Sequence, residues 1–407
     1  MSAAPRRPAQ PAQPALRLLR AVAAVAAAGS AARAGQRLHL STSAVTRAVQ
    51  QAEHELGLPL FERGARGMVC TPAGQLLVAR AERAFVELQR GLGAGASSRV
   101  SDAMLAALRA VAESGSEGAA AALLGLSQSA VHQALCGLEH GARRSLFERT
   151  RRGTRLTAAG ELLLQHARLA LAELRTGHEE LAAFRGLARG RVALGALPMA
   201  ADVLVPQALS RLFAQDPGLQ VTVVDGTYEA LMHQLRQGDL DFVVGPLRGA
   251  ALAADLAEQL LFADRLRLVV RAGHPALAGG RRPRSLKPLL RWTWVGPLPG
   301  TPARAAFERA FAAAGLVAPP VMLQVNAPAV VRSVLMSSDA VAMLSPLQIR
   351  AELDSGLLAL LPVPVQGTER AIGVTQRLDG LPSPACLRLL SELRAVAAVA
   401  GRPAPAP

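Results

Sequence analysis

The chain has 407 residues, 51% of them hydrophobic, which is enough for two to four domains with real cores. Its net charge is +15, and residues 1–190 alone carry 24 Arg against 14 Asp and Glu, which favours a polyanion such as nucleic acid as a partner of this half. Three widely spaced cysteines exclude a disulfide framework, and eight scattered histidines give no metal-site pattern, so no cofactor is predicted.

The N-terminal segment could be mistaken for a secretory signal. Residues 1–15 are Pro-rich and predict a disordered tail, and an apolar stretch follows them. Arg17 and Arg20 interrupt that stretch, and a similar one recurs in mid-chain from Met104 to Ser116, where no signal can lie. The sequence therefore predicts an ordinary helix over about Leu16–Ala28, no membrane-spanning run and a cytoplasmic location.

An internal repeat with an offset of 86 residues organises the first half. Four blocks match in register without a gap: Gly29-Ser30 with Gly115-Ser116, Ser43-Ala44-Val45 with Ser129-Ala130-Val131, Leu60-Phe61-Glu62-Arg63 with Leu146-Phe147-Glu148-Arg149, and Thr71, Ala73 and Gly74 with Thr157, Ala159 and Gly160. Four matched blocks in register indicate a tandem duplication of one module. The predicted boundaries are 16–75 and 102–161 for the modules, with linker segments over 76–101 and 162–189.

Each module predicts a winged helix-turn-helix. After the first helix, a second covers about Ala31–Leu38, and Ser41 caps a third that runs to about Leu56. A short basic hairpin, Phe61–Thr71, precedes a long helix that begins near Pro72, where the missing proline N–H costs nothing. In such a module the third helix enters the major groove and the hairpin lies along phosphates.

The second half changes to strands that alternate with helices. Strands are predicted at Val192–Gly195, Leu219–Val224, Leu240–Val244, Leu266–Val270, Trp292–Val295, Val321–Val325, Val341–Leu344 and Leu358–Val363. This alternation predicts an α/β fold with parallel sheets. Ligands of such sheets bind beyond the carboxyl ends of the strands, near helix N-termini. The loops that fit this rule are Leu197–Ala200, Gly226–Tyr228, Gly245–Leu247, Pro297–Thr301 and Asn326–Ala327.

The motifs of the first module resemble those of the LysR-type transcriptional regulators. The third helix reads Ser41-Thr42-Ser43-Ala44-Val45-Thr46-Arg47, and Leu56-Gly57-Leu58-Pro59-Leu60-Phe61-Glu62-Arg63 follows it. The resemblance extends over nearly the whole chain, because an effector domain follows from about Gly190 and carries the segment Gly300-Thr301-Pro302-Ala303-Arg304 of one branch of the family. Family members usually carry one DNA-binding module, whereas this chain carries two.

The resemblance assigns DNA-binding roles residue by residue. In the first copy the groove-facing residues are Ser41, Thr42, Ser43, Thr46 and Arg47, and Arg63 and Arg66 contact the backbone. The second copy has a fuller wing, in which Arg149, Arg151, Arg152 and Arg155 contribute sequence-independent affinity. Its third helix, with Ser127, Gln128, Ser129 and Gln133, is poorer, because His132-Gln133 replaces Thr46-Arg47 and Gly137 costs about 1 kcal/mol relative to Ala. A solvated arginine face remains the alternative for both copies.

For the effector domain, 190–400, followed by a short tail over 401–407, the resemblance implies two subdomains hinged by crossing strands, as in periplasmic binding proteins. One comprises 190–267 and 360–398, the other 268–359. The expected ligand-binding residues are Pro198, Met199, Ala200, Gly226, Thr227, Pro246, Thr301 and Asn326. Pro246 stands where an Arg often binds a carboxylate, which predicts a more apolar pocket, less suited to a small acid held by that Arg. Thr227 and Thr301 serve equally well as plain helix caps.

Family members pair the long helix after the wing with its antiparallel copy in a second chain. Here both long helices carry an apolar seam with spacings of three and four: Val78, Ala81, Phe85, Leu88 and Leu92, and then Leu164, Ala167, Leu171 and Leu174, followed by His178. We predict an intramolecular pseudo-dimer, in which Phe85 and Leu88 meet Leu171 and Leu174 of the same chain. The alternative is pairing between chains, which gives a homo-oligomer with four modules per dimer.

The expected function is sequence-specific transcription regulation. The partners are double-stranded promoter DNA and a small-molecule effector, with RNA polymerase as a further candidate. Enzyme functions are not predicted, because the chain has no Gly-x-Ser-x-Gly, Walker loop or dinucleotide fingerprint. A structural, nucleoid-type DNA binder and a degenerate regulator that acts through protein contacts remain open. A mobility-shift assay with specific and scrambled promoter DNA separates these alternatives.

Overall fold

The structure, a computed structural model, describes residues 14–64, 67–93, 100–150, 153–186, 190–278 and 283–401. Most of the predicted N-terminal tail, of the connector between the modules and of the C-terminal tail lies outside these ranges. The chain folds into two compact units, Met1–Gly190 with Arg236–Gly238, and Arg191–Leu235 with Asp239–Pro407. Among the described residues, no helix has the length and apolar character needed to cross a membrane.

The first unit contains the two copies of the module, and each copy has the same order of elements. The first copy comprises α1 (Leu16–Ala28), α2 (Ala31–Leu38), α3 (Thr42–Leu56), β1 (Phe61–Gly64), β2 (Gly67–Cys70) and α4 (Pro72–Leu92). The second comprises α5 (Asp102–Ser114), α6 (Glu117–Leu124), α7 (Gln128–Ala142), β3 (Phe147–Thr150), β4 (Gly153–Leu156) and α8 (Ala158–Phe184). The predicted helices and the hairpin are therefore present in both copies.

Repeated caps explain why the boundaries recur. The Ser41 side chain accepts a hydrogen bond from the Ala44 N–H at 3.2 Å, and Ser127 accepts one from the Ala130 N–H at the same distance. Such a cap contributes about 1 kcal/mol by satisfying an orphan donor of the first turn. Gly137 does not interrupt α7, and a Cβ there would lie only 2.4 Å from the Cε of Met104, which packs over it.

The wing turn requires glycine in both copies. Gly67 has a φ of 121° and Gly153 a φ of 122°. A Cβ on either residue would lie within about 2.4 Å of a carbonyl oxygen, that of Gly29 or of Gly115. Only glycine combines this conformation with such a close approach, so each hairpin lies against the end of the first helix of its own module.

The long helices α4 and α8 pack antiparallel within the one chain. Arg80, early in α4, lies 2.7 Å from Glu173 in the second half of α8, and Glu87, later in α4, lies 2.7 Å from His166 in the first half. The 86-residue offset relates Arg80 to His166 and Glu87 to Glu173, so the two ion pairs are equivalent under a pseudo-two-fold axis. Burial raises the pKa of Glu87, but the hydrogen bond and charge of His166, together with the charge of Arg90, outweigh it and hold the pKa below its usual value.

A shared hydrophobic core joins these helices, as the seam predicts. Leu88 and Leu174 are buried in one cluster, and Phe85 and Leu171 pack against it. The buried residues of this cluster on the two helices are Ala73, Leu77, Ala81, Ala84, Leu88, Leu92, Leu163, Ala167, Ala170, Leu174 and Leu181. Equivalent glycines allow the close approach: a Cβ on Gly91 would lie 2.9 Å from Leu163, and one on Gly177 would lie 3.0 Å from Arg80.

One contact between the modules breaks the pseudo-symmetry. The N–H of Leu16, at the start of α1, donates to the carboxylate of Asp102 at 3.1 Å. Asp102 is the residue that the 86-residue offset relates to Leu16. Arg20 also donates to the carbonyl oxygen of Val100 at 2.7 Å. A carboxylate at the first turn of a helix satisfies its orphan donors and complements its dipole, so α1 receives a cap that α5 cannot receive in return.

The second unit is an α/β domain of two subdomains. Its elements are β5 (Arg191–Ala196), α9 (Pro198–Asp202), α10 (Leu204–Gln215), β6 (Gln220–Asp225), α11 (Tyr228–Arg236), β7 (Phe242–Pro246), β8 (Leu256–Arg265), β9 (Arg267–Arg271), β10 (Trp294–Gly296), α12 (Pro302–Ala313), β11 (Val321–Gln324), α13 (Pro328–Ser337), β12 (Val341–Leu344), α14 (Arg350–Asp354), β13 (Leu358–Leu360), β14 (Glu369–Arg377) and α15 (Pro384–Ala400). Short 3-10 helices cover Gly249–Ala251, Pro275–Leu277 and Lys287–Arg291.

The two sheets are mixed, which corrects the prediction of parallel sheets. The first has the order β6-β5-β7-β14-β8, and the second has the order β11-β10-β12-β9-β13. β5 runs parallel to β6 and β7, and β10 runs parallel to β11 and β12. β14 is antiparallel to β7 and β8, and β9 is antiparallel to β12 and β13. The chain passes from the first sheet to the second after β8 and returns to the first with β14. The strands that follow these two crossings, β9 and β14, run antiparallel to their neighbours, which a simple β-α-β succession does not produce.

The return to the first subdomain lies later than the expected residue 360. Leu361 and Val363 are buried in the core of the second sheet, and β14 begins only at Glu369. The same core contains Trp294, whose ring centroid lies 5.2 Å from that of Phe311 in an edge-on arrangement. The segment after β13 therefore completes the second core before the chain crosses back.

Substitution of Arg80 should destabilise the helix pair strongly. Arg80→Ala leaves the nearly buried Glu180 without its cation, and removing one partner of a buried ion pair costs about 3–5 kcal/mol. Arg90→Ala, on the same helix, removes a pair whose arginine side chain is 47% exposed and should cost about 1 kcal/mol or less. Urea unfolding followed by circular dichroism compares the two variants, and equal midpoints would contradict the buried-pair assignment.

The stability of the helix pair should fall as the pH drops below about 6.5. Burial, and then the charge of Arg185, lower the pKa of His178 from its ordinary value of 6.5. The unfolded chain therefore binds the proton more readily, and stability present above that value is lost on acidification. His178→Leu, which copies the equivalent Leu92, should flatten the difference in urea midpoint between pH 7.5 and pH 5.5. An unchanged difference in this variant would rule out His178 as the source.

Candidate nucleic-acid interface and ligand cleft

The predicted groove-facing residues of α3 share one face. Ser41, Thr42, Ser43 and Arg47 are exposed, whereas Thr46 is half-buried and donates its hydroxyl to the carbonyl oxygen of Thr42 at 2.9 Å. The opposite face is buried in the module core through Val45, Val49, Ala52 and Leu56. Helical spacing thus presents hydroxyls and one guanidinium together, the groups that read base edges in a major groove.

The equivalent face of α7 keeps two of the four hydroxyls of the first copy and lacks the arginine. Ser127, Gln128, Ser129 and Gln133 are all exposed. The Oγ atoms of Ser127 and Ser129 lie 3.0 Å apart, the same distance as the corresponding pair in the first copy. The backbone frame is therefore duplicated, while the cation of the first copy has become the neutral amide of Gln133.

His132, which the sequence marks only as a departure from the motif, is engaged within its own module. Its Nδ1 atom lies 3.1 Å from the Glu117 carboxylate on α6, and its Nε2 atom lies 3.4 Å from the Sγ atom of the exposed Cys136. Both ring nitrogens thus have partners in the module. This engagement gives a structural reason why the second recognition helix offers fewer groups to a groove.

The wing arginines fall partly outside the described residues. Arg63 and Arg149 belong to β1 and β3, and Arg155 is exposed on β4. Arg66, Arg151 and Arg152, which the sequence assigns to phosphate contacts, lie outside the described residues. The two hairpins have the same register, with Phe61 opposite Cys70 and Phe147 opposite Leu156.

A cleft of about 310 Å³ lies between the two sheets of the second unit. Seven of the eight predicted ligand-binding residues line it: Pro198, Met199, Gly226, Thr227, Pro246, Thr301 and Asn326. Ala200 does not line the cleft, because it is fully buried in the core of the first sheet. The cleft is at the lower end of the size range of small-molecule sites.

The two threonines of the cleft both cap helices. The Thr227 hydroxyl accepts a hydrogen bond from the Ala230 N–H at 3.2 Å. The Thr301 hydroxyl accepts one from the Arg304 N–H at 3.1 Å and donates to the carbonyl oxygen of Leu298 at 2.8 Å. Thr301 has therefore used its only proton within the fold, whereas Thr227 donates to no other described residue.

Several polar residues of the cleft were not among the predicted ligand-binding residues, namely Arg248, Arg332, Gln348, Arg370 and Tyr228, although Tyr228 lies within the predicted loop Gly226–Tyr228. The predicted loop that follows β7 stops at Leu247, one residue before Arg248. Arg370 lies on β14, which was not predicted as a strand. In the part of the chain that the structure describes, no cluster of His, Cys, Asp or Glu could hold a metal ion.

Comparison with known proteins identifies the family of both units. The model of the bacterial regulatory helix-turn-helix protein of the lysR family matches twice, at residues 16–75 and 103–161, and the model of the LysR substrate binding domain matches residues 185–398. The chain belongs to the LysR family of transcriptional regulators. It is a DNA-binding regulator with an effector-binding domain and not an enzyme.

Two curated relatives differ in how much of this chain they match. The HTH-type transcriptional regulator GalR of Pseudomonas putida is 38% identical over 371 residues, 90% of this chain and 93% of that protein. PcaQ of Agrobacterium fabrum is 33% identical over 285 residues, 68% of this chain and 89% of that protein. The second module and all that follows it, from residue 103 onward, comprise 305 residues. The GalR match of 371 residues is longer than this, so it extends well into the first module. The PcaQ match is short enough for one module and the effector domain.

Solved structures show the same fold. Full-length LysG of Corynebacterium glutamicum with bound effector Arg is 20% identical, with a TM-score of 0.52, and covers 73% of this chain and 97% of that chain. Full-length CbnR complexed with its target DNA is 20% identical, with a TM-score of 0.51, and covers 72% of this chain and 98% of that chain. The nucleoid-type and degenerate-regulator alternatives receive no support from these comparisons.

Exchange of the equivalent residues Arg47 and Gln133 should change DNA binding in opposite directions. If Arg47 reads a base edge, Arg47→Gln should weaken binding to a DNA site selected from random sequence by about 1–3 kcal/mol and relax its sequence preference. Gln133→Arg should strengthen binding. Mobility-shift titrations at one fixed salt concentration measure both effects, with Arg350→Gln in the second unit as the control. Unchanged affinity and preference in Arg47→Gln would exclude the first module as the reader.

Proposed function

We propose that one chain presents both of its DNA-binding modules as an intramolecular pseudo-dimer and occupies two half-sites of an asymmetric operator. The observation that carries this proposal is the antiparallel packing of α4 on α8, with its buried ion pair between Arg80 and Glu173. In this arrangement the contact that other family members make between two chains is satisfied within one. The homo-oligomer then forms through other surfaces and contains two modules per chain.

The differences between the copies favour pairing of the first module with the second. Only that pairing places the Asp102 carboxylate at the N–H of Leu16, because two first modules would lack the carboxylate and two second modules would bring two carboxylates together. Like charges in such proximity repel each other. The cap therefore adds specificity to a contact that the apolar seam alone would allow between any two copies.

The two half-sites would be read differently. In the first module, Ser41, Thr42, Ser43, Thr46 and Arg47 supply base contacts, and Arg63 and Arg66 supply phosphate contacts. In the second, Ser127, Gln128, Ser129 and Gln133 face the groove, while Arg149, Arg151, Arg152 and Arg155 hold phosphates. Phosphate contacts give affinity without sequence preference, so the operator needs a strict sequence at one half-site only.

The cleft of the second unit binds the small-molecule effector in this proposal. Thr227 and the loop 297–301 contact it, as parts of a cleft lined from both subdomains. Effector binding changes the relative populations of subdomain arrangements, and a ligand shifts such populations only by its differential affinity. The regulator acts in the cytoplasm on promoter DNA, and RNA polymerase is the further partner.

Crosslinking of α4 to α8 distinguishes pairing within a chain from pairing between chains. In a background without the three native cysteines, Glu87→Cys and His166→Cys are combined and treated with a short bismaleimide. We expect single-chain mass with both thiols consumed, because these side chains meet within one chain. The Glu87→Cys single variant is the matched control. A two-chain product as the main species of the double variant would show that the helices pair between chains.

A further inference from the structure

Arginines of the cleft differ in how their charge is balanced. The Arg370 guanidinium lies 2.8 Å from the Asp264 carboxylate, and both side chains are nearly fully buried. Arg332 lies 3.5 Å from Asp202 and 3.3 Å from Glu352. These two arginines are therefore neutralised within the fold, and they tie the strands and helices around the cleft together.

Arg248 also lines the cleft, but it forms no ion pair with any described residue. Its Nη1 atom donates to the carbonyl oxygen of Gly300 at 2.6 Å, and its guanidinium carbon lies 4.1 Å from the centre of the Tyr228 ring. Its Nε atom is buried and has no hydrogen-bond partner in the described part of the chain. A buried charged donor without an acceptor is unfavourable, so Arg248 retains unused capacity to bind an anion.

The engaged and unengaged atoms of Arg248 lie on different sides of its guanidinium. Gly300 occupies Nη1, which leaves the edge formed by Nε and Nη2; Nε is covered in this structure, so a ligand engages the whole edge only after the groups that cover Nε move aside. This edge matches the two oxygens of a carboxylate and binds them in parallel. The stack on Tyr228 holds the plane of the guanidinium and favours one direction of approach.

Apart from the exposed Glu229 carboxylate, which also lines the cleft, the surroundings favour an anion with an apolar body. Helices α11, α12 and α13 begin at the cleft, beside Thr227, Thr301 and Asn326, and their positive ends add to the potential there. Much of the remaining wall is apolar: Val295, Leu298, Pro299, Met343, Leu344 and Ile349. A volume of about 310 Å³ admits a compact molecule only.

We infer that the cleft takes a small organic carboxylate with an apolar body, whose carboxylate Arg248 binds. This assignment rests on the effector-binding role of the cleft proposed above and adds the ligand class and its anchor. It also revises the expectation drawn from Pro246, because the cation stands two residues further along the same loop. Since Arg248 and Gly300 belong to different subdomains, the anchor lies where a ligand can alter the link between them.

Matched acids and amides test the charge requirement on the full chain. The probes are benzoate, cyclohexanecarboxylate and hexanoate, each paired with its neutral amide, and inorganic phosphate as a small anion without an apolar body. Binding is measured as a rise in the unfolding temperature and titrated to a dissociation constant. We expect at least one acid to stabilise the protein where its amide and phosphate do not.

Variants of Arg248 and its neighbour test the anchor. Arg248→Gln should weaken binding of that acid at least tenfold, and Arg248→Lys should lie in between, because it keeps the charge but loses the fork. Tyr228→Leu should weaken binding less than Arg248→Gln, since Tyr228 only positions the guanidinium. Arg350→Gln, in an exposed ion pair, is the control. The unfolding temperature without ligand shows whether each variant folds.

The outcomes separate this inference from the effector role itself. Equal binding of acid and amide, equal binding of phosphate, or unchanged acid affinity in Arg248→Gln would overturn the carboxylate assignment and leave the effector role standing. Stabilisation by neutral amides alone would do the same. No stabilisation by any of the probes would count against both the carboxylate assignment and the effector role of the cleft.

Discussion

The antiparallel contact between α4 and α8 is the constraint on which the N-terminal unit depends. It buries Arg80 between two carboxylates of the partner helix, and glycine at positions 91 and 177 allows the close approach of the helices. A buried ion pair is a weak source of net stability, but loss of either partner is costly. The ion pair therefore acts mainly on specificity, because it fixes the direction and register in which α4 and α8 meet.

The duplication explains both the symmetry and the asymmetry of this unit. Positions related by the 86-residue offset occupy equivalent places in the pair, as Arg80 and His166 do, and Gly91 and Gly177. Because the copies are joined in one chain, each position needs to fit only one partner. Asp102 shows the consequence, because its carboxylate caps α1 and has no counterpart at Leu16. The surface that two identical chains would share has become a surface between two different modules.

The helices and strands of the first unit could be predicted from the sequence more completely than those of the second, for local physical reasons. Serine caps and turn glycines mark nearly every boundary of the two modules, so propensity and fold agree there. In the second unit β8 and β14 were missed, since their polar residues conceal a strand that crosses between sheets. Seven of the eight expected cleft residues do line the cleft, because the loops after the parallel strands follow a general rule. Arg248 was not predicted because what distinguishes it from Arg332 and Arg370 is the lack of an ion pair with any described residue, which the sequence alone does not show.

The poorer recognition motif of the second module is understandable if, as proposed, both modules of one chain bind DNA together. After the first module binds, contact of the second with DNA is an intramolecular step at a high effective concentration. A module that would bind too weakly alone can then still contribute, provided that its geometry allows simultaneous contact. In the proposed pseudo-dimer, the α4–α8 pair supplies that geometry. In that proposed arrangement the frame and the positive wing of the second copy matter more than its base contacts, which fits an exposed Gln133 where the first copy has Arg47 and an internally engaged His132.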